Sequence, residues 1–125
     1  MTDRKRVLLV DDNHDILDLL EIFLFGKFDC VTAINGFEGL KAAREIVPDV
    51  IVTDIMMPVL DGIKFLGSLR EDAKTASIPV IAITSFIKKG NIKSLLSMGF
   101  SGVVTKPFER EAIIGMIEKS LGERK

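Results

Sequence analysis

Five short apolar runs recur along the chain: VLLV (7–10), CVTAI (30–34), VIVT (50–53), PVIAIT (79–84) and GVVT (102–105). Each has strand length and is near-continuous rather than alternating, as expected for strands buried on both faces. The stretches between them have helical spacing. The first follows Asp12 and Asn13, either able to cap a helix, puts Ile16, Leu19, Leu20 and Phe23 on one face, and stops near Gly26. The second, over 37–46, turns Leu40, Ala42 and Ala43 inward and has Pro48 beyond its end. The third, over 62–72, carries Ile63, Leu66 and Leu69 or Arg70 on successive turns. The fourth, over 91–98, carries Ile92, Leu95 and Leu96 and ends at Gly99. The fifth, over 109–121, spaces Ile113, Ile117 and Leu121 by four, with Glu109 and Glu111 in its first turn and Lys119 in its last, as the helix dipole favours.

Five strand–helix units in succession predict an α/β fold with a parallel sheet and helices on both faces. At 125 residues the chain suits one domain, assigned to residues 1–125, and is too short for an eight-stranded barrel. The remaining common solution is a doubly wound, flavodoxin-like (βα)5 sheet in strand order 2-1-3-4-5. A net charge of −1 provides no basic field for nucleic acid or an anionic membrane. Lys88, Lys89 and Lys93 read as a solvated helix face. Cys30 is the one cysteine, so no internal disulfide forms, and it reads as a small buried hydrophobe. The single histidine, His14, reads as an exposed residue of the first helical turn, with nothing to pair it to Cys30. The N-terminal MTDRKRVLLVDDN has too short an apolar run for a signal peptide and no segment reaches spanning length, which makes a cytoplasmic setting the default.

Open α/β sheets bind ligands at the carboxyl ends of their strands, where strand order reverses. The first run ends in Asp11 and Asp12, the third in Asp54, the fourth in Thr84 and Ser85, and the fifth in Lys106. The second ends in Asn35-Gly36, which reads as a turn only. In order 2-1-3-4-5 the first and third strands are neighbours, so the three aspartates converge with Thr84 and Lys106 beside them. Carboxylates without His or Cys suit a hard cation such as Mg²⁺, and Lys106 with a threonine hydroxyl suits a phosphate. A metal held there lets a third aspartate attack phosphorus.

The set VDDN (10–13), VIVTDIMMPVLDG (50–62), ITS (83–85) and VTKPF (104–108), in this order, resembles the receiver domain of two-component response regulators over the whole chain, and in particular the single-domain chemotaxis-type regulators. The resemblance implies that Asp54 accepts a phosphoryl group from a sensor histidine kinase or a histidine phosphotransfer protein. It implies that Asp11, Asp12, Asp54 and the backbone carbonyl of Met56 coordinate Mg²⁺ (or Mn²⁺). It further implies that Thr84 hydrogen-bonds the phosphoryl group, that Lys106 pairs with it, and that the Lys106–Pro107 bond is cis. The chain then catalyses only its own phosphorylation and dephosphorylation. The output face would be the fourth helix, fifth strand and fifth helix, and that face would serve an effector or a second copy.

Three features depart from the family or tune it. Many receivers carry Tyr or Phe three residues before the lysine of the fifth strand, where this chain has Val103, so an aromatic rotamer switch cannot operate there; either a smaller rearrangement carries the signal, or Phe100 or Phe86 substitutes. Met56 and Phe86, two residues after Asp54 and Thr84, are both apolar, which offers a hydrolytic water no acid, base or amide and predicts a long-lived phosphoryl state. Ile114 and Met116 stand off the inward line of the last helix and suggest a second contact surface. The chain ends with the tail GERK, as a stand-alone receiver or the N-terminal part of a longer regulator.

Other functions fit less well. An aspartyl-phosphate hydrolase would place a second Asp where Met56 stands. A flavodoxin-like electron carrier would need a hydroxyl-rich phosphate loop and flanking aromatics, whereas the loop here is DDNHD and Trp and Tyr are absent. A docking or dimerisation receiver module that is never phosphorylated is the alternative that the intact Asp11, Asp12, Asp54, Thr84 and Lys106 set argues against.

Overall fold

A computed structural model describes residues 4–85 and 91–122. Five parallel strands form one sheet in the order β2-β1-β3-β4-β5: β1 Arg6–Val10, β2 Asp29–Ala33, β3 Val50–Asp54, β4 Val80–Thr84 and β5 Gly102–Thr105. The five helices are α1 His14–Leu24, α2 Gly36–Ile46, α3 Gly62–Glu71, α4 Asn91–Met98 and α5 Arg110–Ser120. Every residue of the central β3 and β4 is buried, whereas the edge strands β2 and β5 are only partly so. That is the burial the near-continuous apolar runs predicted.

The two-residue alternation of the strands divides the core into two layers. Leu8, Val10, Ile51, Val80 and Ala82 point to one face, where they meet Ala43 of α2, Phe65, Leu66 and Leu69 of α3, and Leu95 of α4. Val7, Leu9, Val50, Val52, Ile81 and Ile83 point to the other, where Leu17, Leu20 and Leu24 of α1 and Ile113 and Ile117 of α5 cover them.

Helix existence and length match the sequence reading, but several buried faces are rotated from it. In α1 the residues on the sheet are Leu17, Leu20 and Leu24; Ile16 and Phe23 only flank them, and Leu19 is exposed. In α3 Phe65 joins Leu66 and Leu69 inside, while Ile63 is exposed and Arg70 turns aside to donate to the Ile78 carbonyl at 2.9 Å. In α4 only Leu95 is buried, and Ile92 and Leu96 face outward. In α2 the close residues are Gly36, Gly39 and Ala43, with Leu40 and Ala42 at the margin. The cause is common to all four: an apolar stripe wider than its contact arc leaves the helix free to turn by a residue, and docking on the sheet chooses the arc.

Asn35-Gly36 is more than a turn. Asn35 caps α2, its side chain accepting from Glu38 N at 2.8 Å, and Gly36 is buried where a Cβ would lie 2.7 Å from Leu60 Cδ2. Ile114 and Met116 are half-buried against the core rather than standing off it. Gly102 leaves Met116 room to fold over β5, space that any Cβ there would take. Cys30 is likewise half-buried, and burial pushes its thiol up to about 11. Phe100 is buried in the core under α4. Phe86, Lys88 and Lys89 lie outside the described residues. Among those described, no helix is long and apolar enough to cross a membrane.

Candidate functional site

The carboxyl ends of β1 and β3 lie side by side, because Val10 pairs with Thr53 in the parallel ladder. The chain leaves β1 through Asp11 and Asp12 and enters α1 at once. Asn13 is the cap that makes this turn: its side chain accepts from Asp15 N at 2.8 Å and Ile16 N at 3.3 Å. Its own N–H donates to Asp11 Oδ1 at 2.9 Å, which directs the Asp11 side chain inward. Asp54 is the last residue of β3. The chain after it turns back on itself, with Gly62 N donating to Ile55 O at 2.9 Å and Asp61 capping α3 through Lys64 N at 2.9 Å.

One carboxylate oxygen from each of Asp11, Asp12 and Asp54 lies within 4.8 Å of the others, with Asp11 and Asp54 buried and Asp12 exposed. Lys106, at the end of β5, places Nζ 3.6 Å from Asp11 Oδ2 and 3.6 Å from Asp54 Oδ1. Its peptide bond to Pro107 is cis, and its N–H donates to Thr84 O at 2.9 Å. Thr84 is buried at the end of β4. The structure therefore brings together Asp11, Asp12, Asp54, Thr84 and Lys106, as the strand order predicted. Met56 is 74% exposed beside them and borders an apolar hollow lined by Ile55, Ile63, Thr84, Leu95 and Met98. Phe86, its expected counterpart, is outside the described residues.

Three carboxylates against one ammonium leave excess negative charge. Burial, reinforced by the neighbouring Asp54 and Asp12 charges, raises the Asp11 carboxyl to about 6 against the opposing pull of the Asn13 N–H and Lys106. Burial also raises Asp54, while Lys106 and the Ile55 and Met56 N–H groups lower it. Asp11 Oδ2 is buried with no hydrogen-bond partner among the described residues, and Lys106 at 3.6 Å is beyond hydrogen-bond reach. A buried carboxylate oxygen left in this condition is costly unless something else takes its lone pairs. A donor set made of carboxylate oxygen alone fits a hard divalent cation such as Mg²⁺.

Two residues inside the run 50–62 give no sign in the sequence of the individual roles they play at the site. Thr53, fully buried, donates its hydroxyl to the Asp54 carbonyl at 3.0 Å. Gly62 packs so closely that a Cβ there would collide with that same carbonyl oxygen. In the sequence Thr53 looks like an ordinary strand residue, and Gly62 like half of an Asp-Gly turn.

The chain matches the response regulator receiver domain family over residues 7–118. It is 32% identical over 120 residues to the polar-differentiation response regulator DivK of Brucella anthropi, across 95% of this chain and 98% of DivK. It is 35% identical over 111 residues to hybrid signal transduction histidine kinase D of Dictyostelium discoideum, across 89% of this chain and 7% of that kinase. The chain spans about half or less of the length of several such relatives. Its fold superposes with a TM-score of 0.86 and 25% identity on the receiver domain of a Pseudomonas aeruginosa sensor histidine kinase, covering 95% of this chain and 98% of that one. That structure has a magnesium ion coordinated in its active site cleft.

Proposed function

The chain belongs to the response regulator receiver domain family of two-component signal transduction, and from that premise we propose that it is a magnesium-dependent phosphoacceptor switch. Asp54 takes a phosphoryl group from the phosphohistidine of a sensor histidine kinase or a histidine phosphotransfer protein. The observation that carries this reading is the meeting of three carboxylates at two adjacent strand ends, with Lys106 Nζ 3.6 Å from both Asp11 and Asp54.

Asp11, Asp12, Asp54 and the backbone carbonyl of Met56 are the groups that would hold Mg²⁺ or Mn²⁺. When bound, such an ion offsets the carboxylate charge and the charge on the phosphoryl oxygens. Asp54 supplies the nucleophile. One of its carboxylate oxygens forms a bond to phosphorus as the phosphorus–nitrogen bond to the donor imidazole breaks. The electron pair of that bond stays on the imidazole, which leaves neutral when its other nitrogen carries a proton. Lys106 pairs with the transferred group, and the Thr84 hydroxyl donates to one of its oxygens.

The added charge draws Thr84 inward and biases a two-state face made by α4, β5 and α5. On that face Ile92, Val103, Pro107, Phe108 and Met116 line a groove of about 440 Å³. Val103 is half-buried in it. An effector or a second copy of the chain would dock there.

Intact mass after incubation with Mg²⁺ and acetyl phosphate tests the chemistry. The expected result is one added phosphoryl group that requires Mg²⁺ and is absent in Asp54→Ala. A folded protein that takes no phosphoryl group from either acetyl phosphate or a histidine-phosphate donor would instead be a docking module.

A further inference from the structure

Thr53 puts a hydroxyl where the fold has no packing use for one. Its side chain shares the face of Ile51 in the layer under α2, α3 and α4, its cross-strand partners are Val10 and Ala82, and it is 0% exposed. Valine would fill nearly the same shape with no polar group to take out of water. The hydroxyl is used on one acceptor, the backbone carbonyl of Asp54, at 3.0 Å. That same oxygen is packed against Gly62, where any Cβ would collide with it and would come within 2.8 Å of Ile55 Cα. Gly62 N in turn holds the next carbonyl, that of Ile55, at 2.9 Å. Two successive carbonyls at the end of β3 are therefore held by named groups.

We propose that Thr53 is a positioning residue for phosphoryl transfer, its hydroxyl fixing the Asp54–Ile55 peptide so that Asp54 presents its carboxylate in the attacking direction. The Asp54 carbonyl and side chain leave the same Cα, so holding the Asp54–Ile55 peptide fixes the backbone position and direction from which the carboxylate projects toward Lys106 and Asp11. The same peptide sets the direction in which the chain carries Met56. Small misplacements of an attacking group cost large factors in rate. Packing at Gly62 limits the carbonyl sterically, while Thr53 supplies the directed bond. The inference rests on Asp54 as the phosphoacceptor.

The test compares wild type with Thr53→Val, Thr53→Ala and Thr53→Ser. Phosphorylation rates are read by intact mass over a range of acetyl phosphate at saturating Mg²⁺, at a temperature where thermal melts show every variant folded. Loss of one directed hydrogen bond should lower the maximal rate about tenfold in Val and Ala, with half-saturating acetyl phosphate little changed. Thr53→Ser, which keeps the hydroxyl and loses the methyl, should return to within about twofold of wild type. A change in stability alone would move the melting temperature and not this rate. Full-rate phosphorylation of folded Val and Ala variants would overturn the inference and leave Asp54 as the phosphoacceptor. A serine variant as slow as valine would overturn it too, because packing and not the hydroxyl would then matter. A wild type that takes no phosphoryl group would sink the function reading, and the inference with it.

Discussion

At the residue scale, Asp11 links stability to pH. Its folded carboxyl stands at about 6 against 3.8 unperturbed, so the folded state favours the protonated form. The stability this provides is full below about pH 4 and is lost as pH rises through about 6. Asp54 shifts in the same direction. In chelator the protein should therefore be less stable at pH 7.5 than at pH 5, by on the order of 2 kcal/mol. Thermal melts across that range check this; a flat profile would contradict it. Mg²⁺ must displace the proton, so its apparent affinity should weaken about tenfold at pH 5. Asp11→Asn should melt higher in chelator at pH 7.5 and lose the Mg²⁺-dependent rise in melting temperature. Val59 carries strain of another kind. It adopts φ 69 with its side chain 82% exposed, so a β-branched residue sits in the left-handed region with little packing in return. Val59→Asn should stabilise the protein by about 1 kcal/mol in denaturant unfolding. Met56, 74% exposed beside Asp54, offers no group to a hydrolytic water. Decay of the phosphorylated protein should be slower than in the Met56→Asn, Phe86→Glu variant, and equal lifetimes would remove that role.

At the element scale, helix and strand existence was legible and helix orientation was not. The spacing of α3 placed Ile63 inward with Leu66, yet Phe65 is 0% exposed and Ile63 40%. Both positions satisfy a helical period within one residue, and only the sheet surface tells them apart. The difference is measurable: Phe65→Ala should cost about 3–5 kcal/mol and Ile63→Ala under about 1 kcal/mol in chemical denaturation. Asp11, Asp12, Asp54, Thr84 and Lys106 were legible because each ends an apolar run, and a parallel sheet carries all such ends to one edge. Thr53 and Gly62 were not. Their roles depend on which carbonyl lies 3.0 Å from a hydroxyl and which backbone a missing Cβ would strike, and neither has a sequence period.

Over the whole molecule, the apolar side chains left uncovered bear on where a partner would dock. Ile92, Leu96 and Met98 of α4 are 39%, 45% and 50% exposed, whereas Ile114 and Met116 of α5 are half-buried. If a second copy docks on the α4–β5–α5 groove, solution mass should rise on phosphorylation and Ile92→Glu should block the rise. A monomer in both states at high concentration removes the dimer. The amino-acid order is enough to set the βα succession, the parallel sheet and the gathering of three carboxylates, a lysine and a threonine at one edge. It can do so because hydrophobic period and strand ends are local properties that a parallel strand–helix succession converts directly into position. Packing in three dimensions selected which arc of each helix is buried, that Asn35 caps rather than merely turns, and that Met116 closes over Gly102. It also decided that Thr53 and Gly62 hold the Asp54 backbone. These outcomes depend on contacts between elements distant in the chain, where a difference of an ångström or one residue of rotation selects the partner.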